Sequence, residues 1–442
     1  MLAASHIPLD PRLPHLATIA SEMAMGALFG LLMRRGWKVR RVRIRETRYY
    51  PGCTCLLTYH LKCAGPGGAA QSLTLYGRAY GPESMPDGAD GLPPLSTAAG
   101  PLPRFLPEVG LGLWTFPDDP AVAGLDEVWR RGGALFDQPG VLDLQPWPGA
   151  RPALETSVVS YVPTKRCILR YDRADHASPA PFFGKVYAVE DAALLYGQMQ
   201  DLWAYARDHA PELVLARPLG CLPRLNAVWQ GSPGGEPFLE AIEAADLPAL
   251  MRRVAAAMAA LHRSPLRPVR QWRLHEETAK LERARAALGR FYPQLRPEVD
   301  VVLGDLIERA PAESERLVPV HGDFHCNQVL VQDERVAVID FDLFGMGDPL
   351  HDVGRFLSRF CAFAHGRLSS QQVAAAEKSF LSTYEILVPW AVDRDRLAWI
   401  MATLLVNRQV LKSVKKLSAG GAEPVAELLA SAARVARGRE LG

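Results

Sequence analysis

The chain lacks a surplus of charge of either sign, a CxxC cysteine pair and an apolar run long enough for a bilayer. Its 50 basic residues against 48 acidic ones leave a net charge of +2, which gives no electrostatic reason to expect nucleic acid as a partner. None of the seven cysteines forms a CxxC pair. Cys53 and Cys55, two apart in an expected strand, read as reduced thiols on one face of a half-buried sheet rather than as a metal or redox pair. That usage fits a reducing cytoplasm. The longest apolar run near the start, 23–33, is shorter than the roughly 20 residues a membrane helix needs. No secretory signal is evident before it, and it reads as a buried helix. What remains is an ordinary globular composition, 48% hydrophobic and 22% charged, which excludes disorder on a large scale. At roughly 100–200 residues per domain, a chain of 442 predicts several compact units.

Residues 16–35 have helical spacing and stop at Gly36. A dense basic cluster follows, made of Lys38, Arg40, Arg41, Arg43, Arg45 and Arg48. Val42 and Ile44 alternate with its arginines, a period of two that predicts a half-exposed strand rather than a nucleic-acid patch. The stretch Tyr49-Tyr50-Pro51-Gly52-Cys53-Thr54-Cys55-Leu56-Leu57-Thr58-Tyr59 then returns as Tyr161-Val162-Pro163-Thr164-Lys165-Arg166-Cys167-Ile168-Leu169-Arg170-Tyr171. Further on, Gly77-Arg78-Ala79-Tyr80 returns as Gly184-Lys185-Val186-Tyr187. Each copy predicts strand, Pro-containing turn, strand, loop, strand. Duplication accounts for this better than chance similarity between two hairpins.

The two copies are followed by different material. A Pro/Gly-rich stretch after Tyr80, reaching about Pro103, cannot sustain a helix. After Tyr187, residues 190–209 form an amphipathic helical pattern with Leu194, Leu195, Met199, Leu202 and Trp203. A strand pair at 216–221 and 226–229 leads to Gly231-Ser232-Pro233-Gly234-Gly235, a natural hinge. Beyond it, 247–262 and 276–291 are helical and the remainder is mostly helix. A β-rich part therefore gives way to a helical part near residue 235.

The chemistry concentrates in one segment. Val318-Pro319-Val320 leads into His321-Gly322-Asp323-Phe324-His325-Cys326-Asn327-Gln328, then Val329-Leu330-Val331, a polar turn at 332–335, Val336-Ala337-Val338-Ile339 and Asp340-Phe341-Asp342. Two short apolar runs around that turn predict a β-hairpin, which brings Gln328 and Asp340 together at its open end with Asp323 one short loop away. Phosphoryl transfer asks for such a grouping. One carboxylate orients the acceptor hydroxyl and takes its proton, while oxygen ligands hold Mg²⁺ against the phosphates. Asp323 suits the first role, Asp340 and Gln328 the second.

In these residues the sequence resembles the aminoglycoside phosphotransferase family. The likeness lies in His321-Gly322-Asp323, an amide side chain five residues on, Ile339-Asp340-Phe341, and Gly347-Asp348-Pro349-Leu350-His351-Asp352. It is strong over 318–356, fair from about 155 to 416, and before 150 rests on the internal repeat alone. The resemblance implies an α+β, protein-kinase-like bilobal fold, with a small antiparallel β-rich lobe and a large helical lobe. An extra N-terminal α/β domain precedes it. The expected division is 1–148 as a degenerate duplicate of the nucleotide-lobe hairpin, 149–235 as the small lobe with its hinge, and 236–442 as the helical lobe.

By resemblance Asp323 is the catalytic base, Asp340 the principal metal ligand, and His321, Asp348 and Asp352 support the loops. The family usually carries asparagine where this chain has Gln328, so Gln328 is the second metal candidate and Asn327 the backup. Lys185, mid-strand before the expected helix, is placed for the α/β-phosphates, with Glu190 and Asp191 available as its partner acid. The turn 163–166 lacks the glycines of a phosphate-covering loop, which leaves Lys165 and Arg166 as phosphate candidates. Trp229 and Gln230, just before the hinge, complete the cofactor candidates. His325 is open between a phosphate or acceptor contact and a backbone-bonded loop histidine, while His262 closes a helix where its charge favours the dipole.

The expected activity is transfer from Mg²⁺-bound ATP or GTP to a hydroxyl of a small molecule such as a sugar, amino alcohol or aminoglycoside-like compound. The competing reading is a non-catalytic kinase-like nucleotide-binding or scaffold protein, suggested by Gln328 and the missing glycines. The partners expected are nucleotide and acceptor, with no nucleic acid and no membrane. The N-terminal domain is a candidate for capping the site or for a homodimer contact. Arg408, Lys412, Lys415 and Lys416 fall on one face of an expected helix over 395–417. If that face lined the acceptor pocket it would favour a neutral or anionic acceptor, although a basic face in water is the simpler reading.

Overall fold

The computed structural model describes residues 7–84, 93–144, 147, 152–174, 180–242, 246–417 and 422–437. Packing divides the chain into two units, one of residues 1–126 with 283–300 and 408–427, the other of 127–282 with 301–407 and 428–442.

In the first unit β1 (Lys38–Tyr50), β2 (Thr54–Ala64), β3 (Ala70–Ala79), β4 (Phe105–Leu106) and β5 (Leu111–Trp114) form an antiparallel sheet in the order β1-β2-β3-β5-β4. The helix Glu22–Leu32 is capped by the Ser21 hydroxyl, which accepts from the Ala24 N–H. It packs Phe29 edge-on against Tyr59, so the buried face of the sheet is built from the apolar members of the alternating pattern.

The second unit opens with β6 (Leu154–Val162), β7 (Arg166–Arg173), β8 (Phe182–Tyr187), β9 (Leu213–Leu215), β10 (Pro218–Leu222) and β11 (Ala227–Gly231). Five of these form an antiparallel sheet in the order β6-β7-β8-β11-β10, the same order as the first sheet. The sequence repeat reaches down to register, because Leu56 stands opposite Arg78 as Ile168 stands opposite Lys185. It also reaches the turns, where Gly52 and Thr164 hold left-handed backbones at φ 68° and 63°. Gly77 and Gly184 are required for packing, since a Cβ on either would come within 3.1 Å of the Tyr59 or Tyr171 ring. The copies part company after their third strands. In the second, the helix Ala192–His209 follows, with the Asp191 side chain accepting from Ala193 and Leu194 N–H.

Directly paired strand residues share a face, so Lys185 lies on the side of Ile168 and Val228. The opposite side is aromatic. Tyr171 and Phe182 stack at 4.8 Å, and Phe136 meets Tyr171, Phe182 and Trp229 edge-on.

The rest of this unit is chiefly helical, including Leu247–His262, Pro349–Ala364, Ser370–Leu387 and Arg394–Leu404. Set among the helices are β12 (Glu236–Pro237), β13 (Val318–Val320), β14 (Val329–Gln332), β15 (Arg335–Val338) and β16 (Gly345–Gly347). They form a sheet in the order β12-β14-β15-β9 and the pair β13-β16. The fold is α+β and protein-kinase-like: a five-stranded antiparallel sheet, a short Gly/Pro link, then a helical part carrying two small ribbons. Among the described residues no helix is long and apolar enough to cross a membrane.

One expected helix is not continuous. Residues 395–417 divide into an α-helix Arg394–Leu404, a π-helical stretch Leu405–Val410 and a short helix Leu411–Lys415. The last packs on β1, with the Lys415 ammonium 5.8 Å from the Tyr50 ring centre. Residues 408–417, which carry the basic side chains, belong to the N-terminal sheet's unit. Lys412's side chain lies outside the described residues.

Candidate active site

β13 pairs with β16 and delivers His321-Gly322-Asp323 at its end. Asp352, wholly buried in the first turn of helix Pro349–Ala364, accepts from the backbone N–H of His321 at 2.6 Å and of Gly322 at 3.0 Å. His262 Nε2 lies 3.4 Å from the same carboxylate, and His262 Nδ1 is 2.7 Å from the Tyr384 hydroxyl. His262 closes the helix Leu247–His262, as expected from its position, and is in addition a buried link to the loop. Burial alone would raise the Asp352 pKa, but the His262 hydrogen bond and nearby imidazole charges outweigh it and leave it at about 2. Asp348 caps the same helix through the Leu350 N–H and meets Arg396 at 2.5 Å.

His321 orders the loop from inside. Its Nδ1 accepts from the Asp323 N–H at 3.2 Å while Nε2 donates to the Ile339 carbonyl at 2.9 Å, so the ring carries its proton on Nε2. Gly322 has φ 78°, and a Cβ there would sit 2.5 Å from the Leu343 carbonyl and 2.7 Å from the Trp272 indole nitrogen. Only glycine fits. The Asp323 carboxylate contacts the Arg355 guanidinium and lies 3.7 Å from His325 Nε2. Burial lowers the His325 pKa, opposed by the charge of Asp323. His325 Nδ1 also accepts from the Asn327 N–H.

The hairpin β14–β15 closes in register, Val329 opposite Val338, and its open end is joined by the Ile339 N–H to the Gln328 carbonyl at 2.9 Å. There the Gln328 carboxamide donates to Asp340 Oδ2 at 3.2 Å. Asn327 is exposed, and Gln328 is the amide that meets Asp340. Asp340 itself has a left-handed backbone, φ 70° and ψ 55°. The 3₁₀ turn that follows, Phe341–Leu343, turns Asp342 back beside it.

Two cations bind this acid pair. Lys185 Nζ lies 2.6 Å from Asp340 Oδ1 and 2.7 Å from Asp342 Oδ1. Arg166 takes the other oxygens, Asp342 Oδ2 at 2.5 Å and Asp340 Oδ2 at 3.1 Å. The Tyr187 hydroxyl donates to Asp342 Oδ1 at 2.8 Å. Burial would raise the Asp340 pKa, but Lys185 and Arg166 hold it well below the usual carboxylate range. Burial likewise works against the Lys185 charge, yet Asp342 and Asp340 raise its pKa above the ordinary value. For Asp342 burial prevails, helped by the charge of Asp340, and its pKa is raised.

The structure therefore groups Lys185, Arg166, Gln328 and Asp340, with His321 linking Asp323 to the carbonyl of Ile339. Lys165 is exposed at the turn, its carbonyl accepting from the Ala188 N–H. Gln230, nearly buried, stands on the Lys185 side of the sheet. Trp229 is a correction. Its neighbours across the sheet put it on the opposite face, fully buried among Phe136 and Tyr171, so its side chain is core and not a cofactor contact. The partner acids of Lys185 are Asp340 and Asp342, because Asp191 is engaged as a helix cap. Asp342, Tyr187 and Arg355 were missed. For Asp342 the signal was present in the Asp-Phe-Asp spacing.

Among the described residues no cluster of three or more His, Cys, Asp or Glu side chains forms a metal cage. The Asp340 carboxylate and the Gln328 carboxamide, whose NH₂ group faces Asp340 here, nevertheless carry the hard oxygen donors that Mg²⁺ accepts alongside water and phosphate oxygens. The donor set fits that ion.

A kinase-like fold with a loop-borne carboxylate and a lysine-bound acid pair has the arrangement of a phosphotransferase. The model of the phosphotransferase enzyme family (APH) matches residues 166–390, just over half of the chain, and the chain belongs to that family. Among curated proteins it is similar to a glucosamine kinase of Streptacidiphilus jiangxiensis, 31% identical over 170 residues. That match covers 32% of this chain and 37% of the relative, so it spans little more than a third of the relative's length. Among solved structures it is similar to an aminoglycoside phosphotransferase from Streptomyces rimosus, at 18% identity, with 64% of this chain and 98% of that one covered and a TM-score of 0.40. A thermostable aminoglycoside phosphotransferase mutant, in ternary complex with AMP-PNP and hygromycin B, gives 16% identity, 69% and 96% coverage and a TM-score of 0.45. A choline/ethanolamine kinase family protein from Mesorhizobium loti gives 16%, 71% and 94%, and 0.44.

Proposed function

We propose that the chain transfers the terminal phosphate of a magnesium-bound nucleoside triphosphate, ATP or GTP, to a hydroxyl of a small sugar-like or amino-sugar-like molecule. The observation that carries the reading is the Asp340–Asp342 pair, bound on both sides by Lys185 and Arg166 and joined through Asp340 to Gln328. Asp323 is tied to the same ribbon through His321. Similarity to a glucosamine kinase over part of the chain supports an acceptor of the sugar class.

Asp340 and Gln328 would hold Mg²⁺, which supplies charge neutralisation on the phosphates when bound. Asp323 accepts a hydrogen bond from the acceptor hydroxyl and aligns it. As the acceptor oxygen bonds to the terminal phosphorus, the bond from phosphorus to the leaving diphosphate oxygen breaks, and the hydroxyl proton passes to Asp323. Arg355 holds the Asp323 carboxylate in place, and Lys185 and Arg166 present positive charge beside the phosphates.

The test is transfer itself. With Mg²⁺ and ATP or GTP, a panel of sugars, amino sugars, amino alcohols and aminoglycosides should include an acceptor that gains one phosphate by mass spectrometry while the nucleoside diphosphate is released. Asp323→Asn should cut that rate by about 100-fold or more while nucleotide still binds. An undiminished rate in that variant would remove Asp323 from the reaction.

A further inference from the structure

The N-terminal unit carries a second basic site that phosphoryl transfer does not use. A cleft of about 410 Å³ lies along β1 and β2, lined by Arg41, Arg43 and Arg45 on one strand and His60 and Lys62 on the other. All of these residues fall within residues 1–126. The register sets Arg41 directly opposite Lys62 and Arg43 opposite His60. A β-bulge between Ile44 and Glu46 makes Arg45 the extra residue of the edge strand.

Like charges placed directly opposite across a ladder, as Arg41 and Lys62 are, destabilise it. One carboxylate answers them. Glu22, from the helix Glu22–Leu32, accepts from Arg43 at 3.0 Å and from the Ile44 N–H at 3.0 Å. Its charge is spent on Arg43 and on covering an outward N–H of the edge strand. Arg41, Arg45 and Lys62 have no ion-pair partner among the described residues. Basic side chains on an edge strand can serve simply to repel other strands. Lys62 and His60 sit on the interior strand β2, however, where edge protection asks for nothing.

We propose that this cleft binds a small phosphate-bearing anion, inorganic phosphate or a phosphomonoester of metabolite size. Guanidinium groups bind phosphate oxygens in a two-pronged geometry, and the volume is that of a small-molecule site rather than a track for a polymer. The site stands whether or not the kinase reading does, since it shares no residue with it.

Calorimetric titration of the full chain with inorganic phosphate, and separately with glucose 6-phosphate, distinguishes the two sources by which binds more tightly. Arg41→Gln combined with Lys62→Gln should weaken the binding by about tenfold or more, with a melting temperature in phosphate-free buffer no lower than the parent's. Should the double variant melt earlier, Lys62→Gln alone must still weaken binding measurably. Binding unaltered by these changes, or no heat with either anion at millimolar concentration, would overturn the proposal. So would a single-stranded oligonucleotide binding the cleft more tightly than both.

Discussion

Asp352→Asn is the perturbation whose size the structure determines most directly. The carboxylate is wholly buried and receives two backbone N–H groups of the His321-Gly322 loop and the edge of His262. Its pKa falls from an ordinary 3.8 to about 2, which corresponds to about 2 kcal/mol of preference for the ionised form. In the amide one oxygen becomes an NH₂ group, so a backbone donor is left facing a donor, at a further cost of about 1–3 kcal/mol. The expected loss near neutral pH is therefore about 3–5 kcal/mol. Because the folded pKa is depressed, the parent's contribution is complete above about pH 4 and disappears as pH falls toward 2. The gap between parent and variant should then narrow by about 1 kcal/mol at pH 3 and by about 2 kcal/mol near pH 2. Urea unfolding followed by tryptophan fluorescence at pH 7, 5 and 3 measures both quantities. A difference below about 1 kcal/mol at pH 7, or a gap that does not shrink with acid, would refute the accounting.

Three further outcomes follow from the same geometry. Arg166 occupies Asp340 Oδ2, the oxygen nearest Gln328, so Arg166→Gln should tighten Mn²⁺ binding in the absence of nucleotide by about tenfold while weakening nucleotide binding, both read by calorimetry. Tyr187→Phe removes a buried hydrogen bond to the Asp342 carboxyl group and should cost about 1–3 kcal/mol in unfolding experiments. Thr164 is a β-branched residue at φ 63° where the first copy has glycine, so Thr164→Gly should stabilise by about 1 kcal/mol, visible as a higher melting temperature.

The legible parts of the site were local ones. A hairpin of two four-residue strands brings Gln328 to Asp340 over a dozen residues of chain, and alternation with a polar turn is enough to show it. His321-Gly322-Asp323 was readable for the same reason. Arg355 was not, because its partner lies 32 residues away across a helix whose rotation the sequence does not state. His262 was readable as a helix end from its neighbours alone, but its partners Asp352 and Tyr384 were not, because they come from two distant helices. Trp229 failed on parity: which face of β11 it occupies depends on pairing with β8, and one step of register reverses the answer. The duplicated sheet was visible as spaced tyrosines and glycines because those positions are fixed by contact between neighbouring strands, Tyr59 over Gly77 and Tyr171 over Gly184.

The left-handed backbone at Asp340 has a consequence for how this protein can change. Most side chains incur about 1–2 kcal/mol in that conformation, while glycine, asparagine and aspartate tolerate it. Glutamate, chemically the nearest substitute, is conformationally a poor one. A descendant that abandoned catalysis while keeping its architecture would therefore drift most easily to asparagine or glycine at this position, and its remaining residues could look untouched.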